Sequence, residues 1–244
     1  LLTGGTGGIG RAIARALAHK GLTLALVGRN KTALDGLRTE LLGTGVDVVA
    51  VAADLTDRSQ RRNLPIRVAS RAGEIDILIN NAGAAWGAPF DEFPESGWDK
   101  VMNLNVKSVF FLTQKMAPLL RAAASPEQPA KVINIASIDG IHNARIETYS
   151  YSASKAGVIH LTRRVAKRLV EENIHVNAIA PGAFASDMNV WARDNPDEVA
   201  NRIPARRVGV PDDIAGTAVF MCSRAGDYLV GITIPVDGGV ALAS

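Results

Sequence analysis

The sequence predicts an α/β fold, a doubly wound parallel sheet with helices on both faces. Two observations carry the prediction. Apolar runs of strand length alternate with segments of helical period, and a cluster of glycines follows the first run where a strand would turn into a helix. The runs are Leu22 to Val27, Val46 to Ala53, Ile75 to Ile79, Val132 to Ile135, Val176 to Ala180 and Ile232 to Val236. Leu1 and Leu2 belong to a first strand, whose start is expected to precede the sequence. Apolar on both faces, these strands read as buried. Helical spacing joins Ile13, Ala16 and Leu17; Leu34, Leu37 and Leu41; Val158, Leu161, Val165 and Leu169; and Ile214, Ala218 and Met221. Gly21, Gly43 and Gly45 fall where helices should end.

Composition sets the bounds. A chain of 244 residues without a composition break reads as one domain over 1–244, and the stretch after the sixth strand leaves room for a lid at about 184–207. A net charge of +3, evenly spread, gives no reason to expect nucleic acid as a partner. One cysteine excludes an internal disulfide framework and a multi-cysteine metal site, and points to a reducing compartment. Cys222, in an apolar run, reads as a buried inert thiol. No uncharged stretch reaches the ~18 residues of a membrane span and no signal peptide is visible, so a soluble, cytoplasmic protein is expected.

Residues 3–10 read TGGTGGIG, with Gly4, Gly5, Gly7, Gly8 and Gly10 around Thr6 and Ile9. Glycines here let backbone approach a pyrophosphate, and the free N–H groups of a helix N-terminus bind it. The second strand ends in Val27-Gly28-Arg29-Asn30, without the carboxylate that would accept the ribose 2'-OH of NAD. Arg29 instead suits a 2'-phosphate, so NADP(H) is the expected cofactor, with NAD(H) as the alternative. Asp54, followed by Leu55, is placed to accept from an adenine amino group; a helix N-cap role for Asp54 or Asp57 competes with this. Asn80-Asn81-Ala82-Gly83 closes the fourth strand with small residues, where open α/β sheets bind ligands.

Tyr151 and Lys155 stand four apart in YSASK, on one helical face. A neighbouring ammonium favours the phenolate and should draw the phenol toward the working range. Ser137 ends the fifth strand and is placed to donate to a carbonyl oxygen. Asn105 is a polar residue in the apolar helical stretch 101–112, either exposed or in need of partners. The four histidines show no spacing that would suggest a metal site.

On TGGTGGIG, NNAG at 80–83, Asn105 in NLNVKS, Ser137, YSASK and Pro181-Gly182, the chain resembles the short-chain dehydrogenases/reductases over nearly its whole length. The resemblance implies a Rossmann-type sheet of seven strands, a homotetramer or homodimer, and a tetrad of Asn105, Ser137, Tyr151 and Lys155. In it Tyr151 is the general acid, Ser137 orients the carbonyl, Lys155 binds the nicotinamide ribose and Asn105 holds a water of the proton relay. Pro181, Gly182, Phe184 and Ser186 would pack around the nicotinamide. Ser186 stands where members usually carry Thr, and Gly7 where many NADP-linked members carry a basic residue.

The stretches ETYSYSASKAG and IPVDGG look like bacterial 3-oxoacyl reductases of the kind that feed rhamnolipid-type hydroxyacyl chains. The expected function is thus an NADPH-dependent carbonyl reductase acting on a 3-oxoacyl thioester of acyl carrier protein or CoA. A secondary alcohol, sugar or steroid dehydrogenase is the alternative; a non-catalytic dinucleotide sensor would have no need of the tetrad. Arg163, Arg164, Lys167 and Arg168 offer a basic face to a carrier protein, or are merely solvated beside Glu171 and Glu172. Met188 and Trp191 in the lid, and His142 and Arg145 before Tyr151, are further candidates for substrate contact.

Overall fold

The strand segments concentrate Val, Ile, Leu and Ala, and burial on both faces follows from that composition. A computed structural model describes residues 1–143, 146–186 and 189–243. Its strands are β1 (Leu2–Thr3), β2 (Leu24–Gly28), β3 (Val48–Ala52), β4 (Ile77–Asn80), β5 (Ala130–Ile135), β6 (Ile174–Pro181) and β7 (Thr233–Val236). They form one parallel sheet of seven strands in the order β3-β2-β1-β4-β5-β6-β7. Strand order reverses between β1 and β4, and the carboxyl ends there are where such sheets bind ligands.

Helices α1 (Gly8–His19), α2 (Lys31–Leu42) and α9 (Pro211–Cys222) cover one face, packing Ile13, Leu17, Leu34, Leu37 and Ile214 onto the sheet. On the other lie α3 (Arg58–Ala72), α5 (Ser108–Ala123) and α6 (Tyr149–Leu169), with Leu64, Leu112, Met116 and Leu169 inward. A short helix α4 (Glu95–Met102) runs through one π-helical turn, Asn103–Lys107, into α5. The short helices α7 (Val190–Asp194) and α8 (Pro196–Asn201) lie in the segment expected to be the lid. Met188 falls outside the described residues. Among those residues no helix is long and apolar enough to cross a membrane.

Two details depart from the pattern read in the sequence. Helix α3 buries only Arg61, Leu64 and Val68 and holds Pro65 inside it, so its apolar stripe is too thin to signal a helix. Its start is fixed instead by Asp57, whose Oδ1 accepts from Ser59 N (2.7 Å) and Gln60 N (3.0 Å). The buried face of α6 is Val158, Ile159, Thr162, Ala166 and Leu169, while Leu161 and Val165 sit half-buried at its edge. Gly43 is the C-cap of α2, as expected, though with a helical backbone, and Gly21 (φ +81°) and Gly45 (φ +87°) take positive φ in the turns after α1 and α2.

A line of buried amides and hydroxyls fixes α6 against the sheet. Asn80 Nδ2 donates to Thr113 Oγ1 (3.1 Å) and Asn134 Oδ1 (2.8 Å), and Asn134 Nδ2 donates to Thr162 Oγ1 (2.9 Å). These bonds join β4, β5, α5 and α6 in the dry interior, where an unpaired partner would be costly.

At the opposite end of β5, the buried Lys131 Nζ donates to the carbonyls of Cys222 (3.3 Å) and Ser223 (2.5 Å) and to Asp227 Oδ1 (2.5 Å). The Cys222 thiol is half-buried and pushed up to about 11 by burial, an unreactive state. Asp227→Ala should lower the urea-unfolding free energy by about 3 kcal/mol, since it leaves a buried ammonium without its counter-charge. Adding Lys131→Met should restore most of that loss; equal midpoints for Asp227→Ala and the parent would remove the pair from the stability account.

Candidate active site

The turn after β1 is built on glycine because the chain doubles back on itself. Gly4 has φ +65°, and a Cβ there would lie 2.8 Å from Ala82 Cα. A Cβ on Gly10 would collide with the Gly4 carbonyl oxygen. The turn is held from β4. Asn81 Nδ2 donates to the carbonyls of Thr3 (3.0 Å) and Gly4 (2.9 Å), and Thr3 Oγ1 accepts from the N–H groups of Asn81 and Ala82, both at 3.0 Å. Helix α1 then starts at Gly8 behind Gly7, with no side chain capping it. The N–H groups of Gly8, Ile9 and Gly10 have no acceptor among the described residues, so this end is free for an anion. Ser186 lies over it: a Cβ on Gly8 would be 3.3 Å from Ser186 Cβ.

Arg29 is exposed at the end of β2, with no partner among the described residues. Asn30, also exposed, caps α2, its Oδ1 accepting from Ala33 N (3.0 Å). Asp54 is no helix cap. Its Oδ1 accepts from Thr56 N (2.8 Å) and Thr56 Oγ1 (2.7 Å), and no donor meets its Oδ2 among the described residues. Leu55 is buried beneath it.

The carboxyl ends of β4 and β5 bring the chemical groups together. Lys155 is buried, its Nζ donating to Ile135 O (2.8 Å) and lying 5.4 Å from the Tyr151 ring centroid. Gly83 is the space between Lys155 and Asn105: a Cβ there would lie 3.4 Å from Asn105 Oδ1 and 3.8 Å from Lys155 Nζ. Ser137 takes an extended backbone at the end of β5. Its Oγ accepts from Asp139 N (3.2 Å) and is a hydrogen-bond partner of the Tyr151 phenol. All four members of the expected tetrad therefore meet at one edge of the sheet.

Two members of the tetrad need closer description. Asn105 occupies the π-helical turn, a feature that often marks a functional position, but its carboxamide is fully engaged. Oδ1 accepts from Ala84 N (2.9 Å), and Nδ2 donates to Ala84 O (2.9 Å) and Ser154 Oγ (3.0 Å). The side chain thus fastens the β4 loop to α6. The second member is the phenol. Burial pushes Tyr151 up to about 12, with the Ser137 hydrogen bond opposing and Asp139 adding to the rise. Lys155 does not reverse this, because burial lowers its own ammonium to about 8.

The buried Phe184 ring fills the space over Gly209, where a Cβ would lie 2.6 Å away. Pro181 ends β6 beside Val236, and Gly182 passes so close to Asp237 that a Cβ would lie 2.7 Å from its Cα. Ser154, Ala84 and Asp139 went unnoticed in the sequence. The first stands three residues from Tyr151, and its Oγ donates to the Tyr151 carbonyl (2.7 Å), a local helical contact that spacing permits. Arg145 falls outside the described residues. Arg168 pairs with Glu172 (2.6 Å), while Arg163, Arg164 and Lys167 stay exposed.

Residues 1–197 match the short chain dehydrogenase family. The chain belongs to this family. It is therefore an oxidoreductase of the NAD(P)-dependent kind that acts on CH–OH and carbonyl groups. It is 42% identical over 245 residues to the rhamnolipids biosynthesis 3-oxoacyl-[acyl-carrier-protein] reductase of Pseudomonas aeruginosa, covering 99% of this chain and 95% of that one. It is also 40% identical over 242 residues to the 2-dehydro-3-deoxy-D-gluconate 5-dehydrogenase of Dickeya dadantii, covering 98% and 93%. Among solved structures, the Pseudomonas aeruginosa RhlG/NADP active-site complex superposes with a TM-score of 0.95 at 42% identity, over 99% of this chain and 95% of that one.

Proposed function

We propose that this short-chain dehydrogenase is an NADPH-dependent reductase of a ketone, with a 3-oxoacyl thioester of acyl carrier protein or CoA as its substrate. The observation that carries the reading is the hydrogen bond of Ser137 to a protonated Tyr151, whose neighbour Lys155 lies beside Gly83, at the strand ends that also bear the glycine turn.

The residues suit a dinucleotide. The free N–H groups of Gly8, Ile9 and Gly10 would take the pyrophosphate, with Gly4, Thr6 and Gly7 shaping the turn. Arg29, unpaired and exposed, would take the 2'-phosphate. Asp54 Oδ2, with Leu55 beside it, would serve the adenine, and Asn81, Ala82, Gly83, Pro181, Gly182 and Ser186 would border the rest. When bound, the reduced nicotinamide supplies the hydride.

The protein's own groups do the remainder. Ser137 Oγ accepts from Asp139 N, and its O–H, which meets the Tyr151 phenol in the absence of substrate, would turn to donate to the substrate carbonyl oxygen. At neutral pH a phenol pushed up to about 12 is in its acid form, so Tyr151 holds the proton that a developing alkoxide, the stronger base, takes up. Lys155 places a cation beside it, shielded from water. Asn105 keeps the β4 loop and α6 in register.

An acyl chain is favoured by the apolar side chains left exposed on segments bordering Tyr151. Ile141, Ile146 and Tyr149 precede it, Phe90 meets Tyr149 edge to face at 5.5 Å, and Val190 and Trp191 lie in the lid segment. The high identity to the Pseudomonas reductase supports the same choice, and that to the Dickeya enzyme keeps a keto sugar acid as the second reading.

Tyr151→Phe should lower NADPH-dependent reduction of 3-oxoacyl thioesters by about 10²–10⁴-fold while retaining NADPH binding. Undiminished turnover would remove Tyr151 from the mechanism, and wild-type turnover of a keto sugar acid alone would replace the substrate class. Arg29→Ala should weaken NADPH by at least about 10-fold and leave NADH nearly unchanged in fluorescence titrations. Equal losses for both cofactors would rule out the 2'-phosphate contact.

A further inference from the structure

Dinucleotide binding as read above leaves one buried cation without a task, the guanidinium of Arg61. We propose that Arg61 is a positioning residue for the adenine subsite: it holds the turn 54–56 by its carbonyls and so presents Asp54 Oδ2 to the amino group of the base. The inference rests on the reading of Asp54 as the acceptor for the adenine.

Arg61 stands on the stripe Arg61, Leu64 and Val68 that α3 turns inward, at a place where an apolar side chain would serve packing. A buried cation is costly unless its N–H groups find acceptors. Among the described residues those of Arg61 are not carboxylates. Nη1 donates to Leu55 O (2.5 Å) and reaches Thr56 O at 3.5 Å, and the guanidinium carbon lies 5.6 Å from the centroid of the Phe111 ring on α5. Two other arginines of α3 serve a different end. Arg67 donates to Ala52 O (3.0 Å) and Arg71 to Ala50 O (3.4 Å), covering carbonyls of the edge strand β3 while both remain in contact with water. Arg61 is the one buried arginine among the described residues, and the carbonyls it holds lie in the turn that follows the strand.

The rest of that turn is fixed by other bonds. Ala53 N donates to Gly28 O (2.8 Å), and Asp54 N donates to Gln60 Oε1 (2.9 Å). Gln60 and Arg61 are consecutive, so the first turn of α3 meets the segment with an acceptor and a donor side by side. Asp54 Oδ1 is occupied by Thr56 N and Thr56 Oγ1, which leaves Oδ2 as the oxygen the network aims. No second donor meets the Leu55 carbonyl among the described residues. Without Arg61 this carbonyl, on a buried residue, would have to shift to find a partner, and Asp54 next to it would shift as well.

The test compares two ligands by calorimetric titration: NADPH, and its hypoxanthine analogue, in which a carbonyl oxygen replaces the amino group of adenine and the 2'-phosphate is kept. The parent should bind NADPH at least about 10-fold more tightly, because with the analogue the carboxylate loses a donor and meets an oxygen. In Arg61→Met the preference should fall below about 3-fold, through weaker NADPH, with the analogue bound as in the parent. A parent-like preference in Arg61→Met overturns the proposal, and so does an equal loss for both ligands, the mark of a merely structural role. Should that variant fail to fold, Arg61→Lys decides. Its single amine keeps the charge but cannot reproduce the planar fork, so the preference should fall at least about twofold, and a parent-like value overturns the proposal. A parent protein without any preference would remove Asp54 from the adenine, and the proposal with it. The 2'-phosphate reading is separate from all these outcomes, since it falls only on equal losses of NADPH and NADH in Arg29→Ala.

Discussion

Where the ladder between β1 and β4 ends, one carboxamide and one hydroxyl carry the join between the two halves of the sheet onward. Asn81 donates to the Thr3 and Gly4 carbonyls while the Thr3 hydroxyl receives the N–H groups of Asn81 and Ala82. Buried backbone must find partners, and at the carboxyl end of β1 the ladder has run out. The side chain of one strand therefore satisfies the turn that follows the other. That clasp brings the glycine turn against Ala82 with no room for a Cβ at Gly4 or Gly10, and it directs Gly83 toward Asn105 and Lys155. The glycine turn and the cluster of Ser137, Tyr151 and Lys155 come from different halves of the chain, and this junction lies between them.

The second half of the geometry comes from buried polar pairing. The line Asn80, Asn134 and Thr162 sets α6 against β5, and Ser154 with Asn105 ties the same helix to the β4 loop. Tyr151 and Lys155 are thus held by a helix fastened at two levels. The same enclosure acts on their charges. Burial raises the phenol and lowers the ammonium, so the pair resists ionisation in both directions. A proton donor for carbonyl reduction is well served by this, because the phenol is never short of its proton near neutrality.

Much of this was legible in the chain. Strands as apolar as Val132 to Ile135 and Leu22 to Val27 are found within a residue or two of their places, since burial on both faces leaves no other composition for them. The tetrad and the glycine turn were visible because each needs particular residue types in order: no Cβ at Gly4 and Gly10, a phenol and an amine one helical turn apart. Other features left no such mark. Helix α3 has too thin an apolar stripe, and the face of α6 is rotated because Thr162 and Ala166 pack where larger residues were expected. The partners of the Asn105 side chain, Ala84 and Ser154, come from segments 21 and 49 residues away, which no local spacing announces. Burial of the phenol is likewise a property of the fold, and it outweighs the neighbouring cation that the YSASK spacing announces.

The clasp at the β1–β4 junction is most directly tested by calorimetric titration of NADPH into the parent protein and Asn81→Ala. Loss of two donors to the glycine turn should weaken NADPH by at least about 10-fold while the protein still unfolds in one cooperative transition. NADPH bound by Asn81→Ala with the affinity of the parent would show that the turn holds its shape without β4, and would contradict the account.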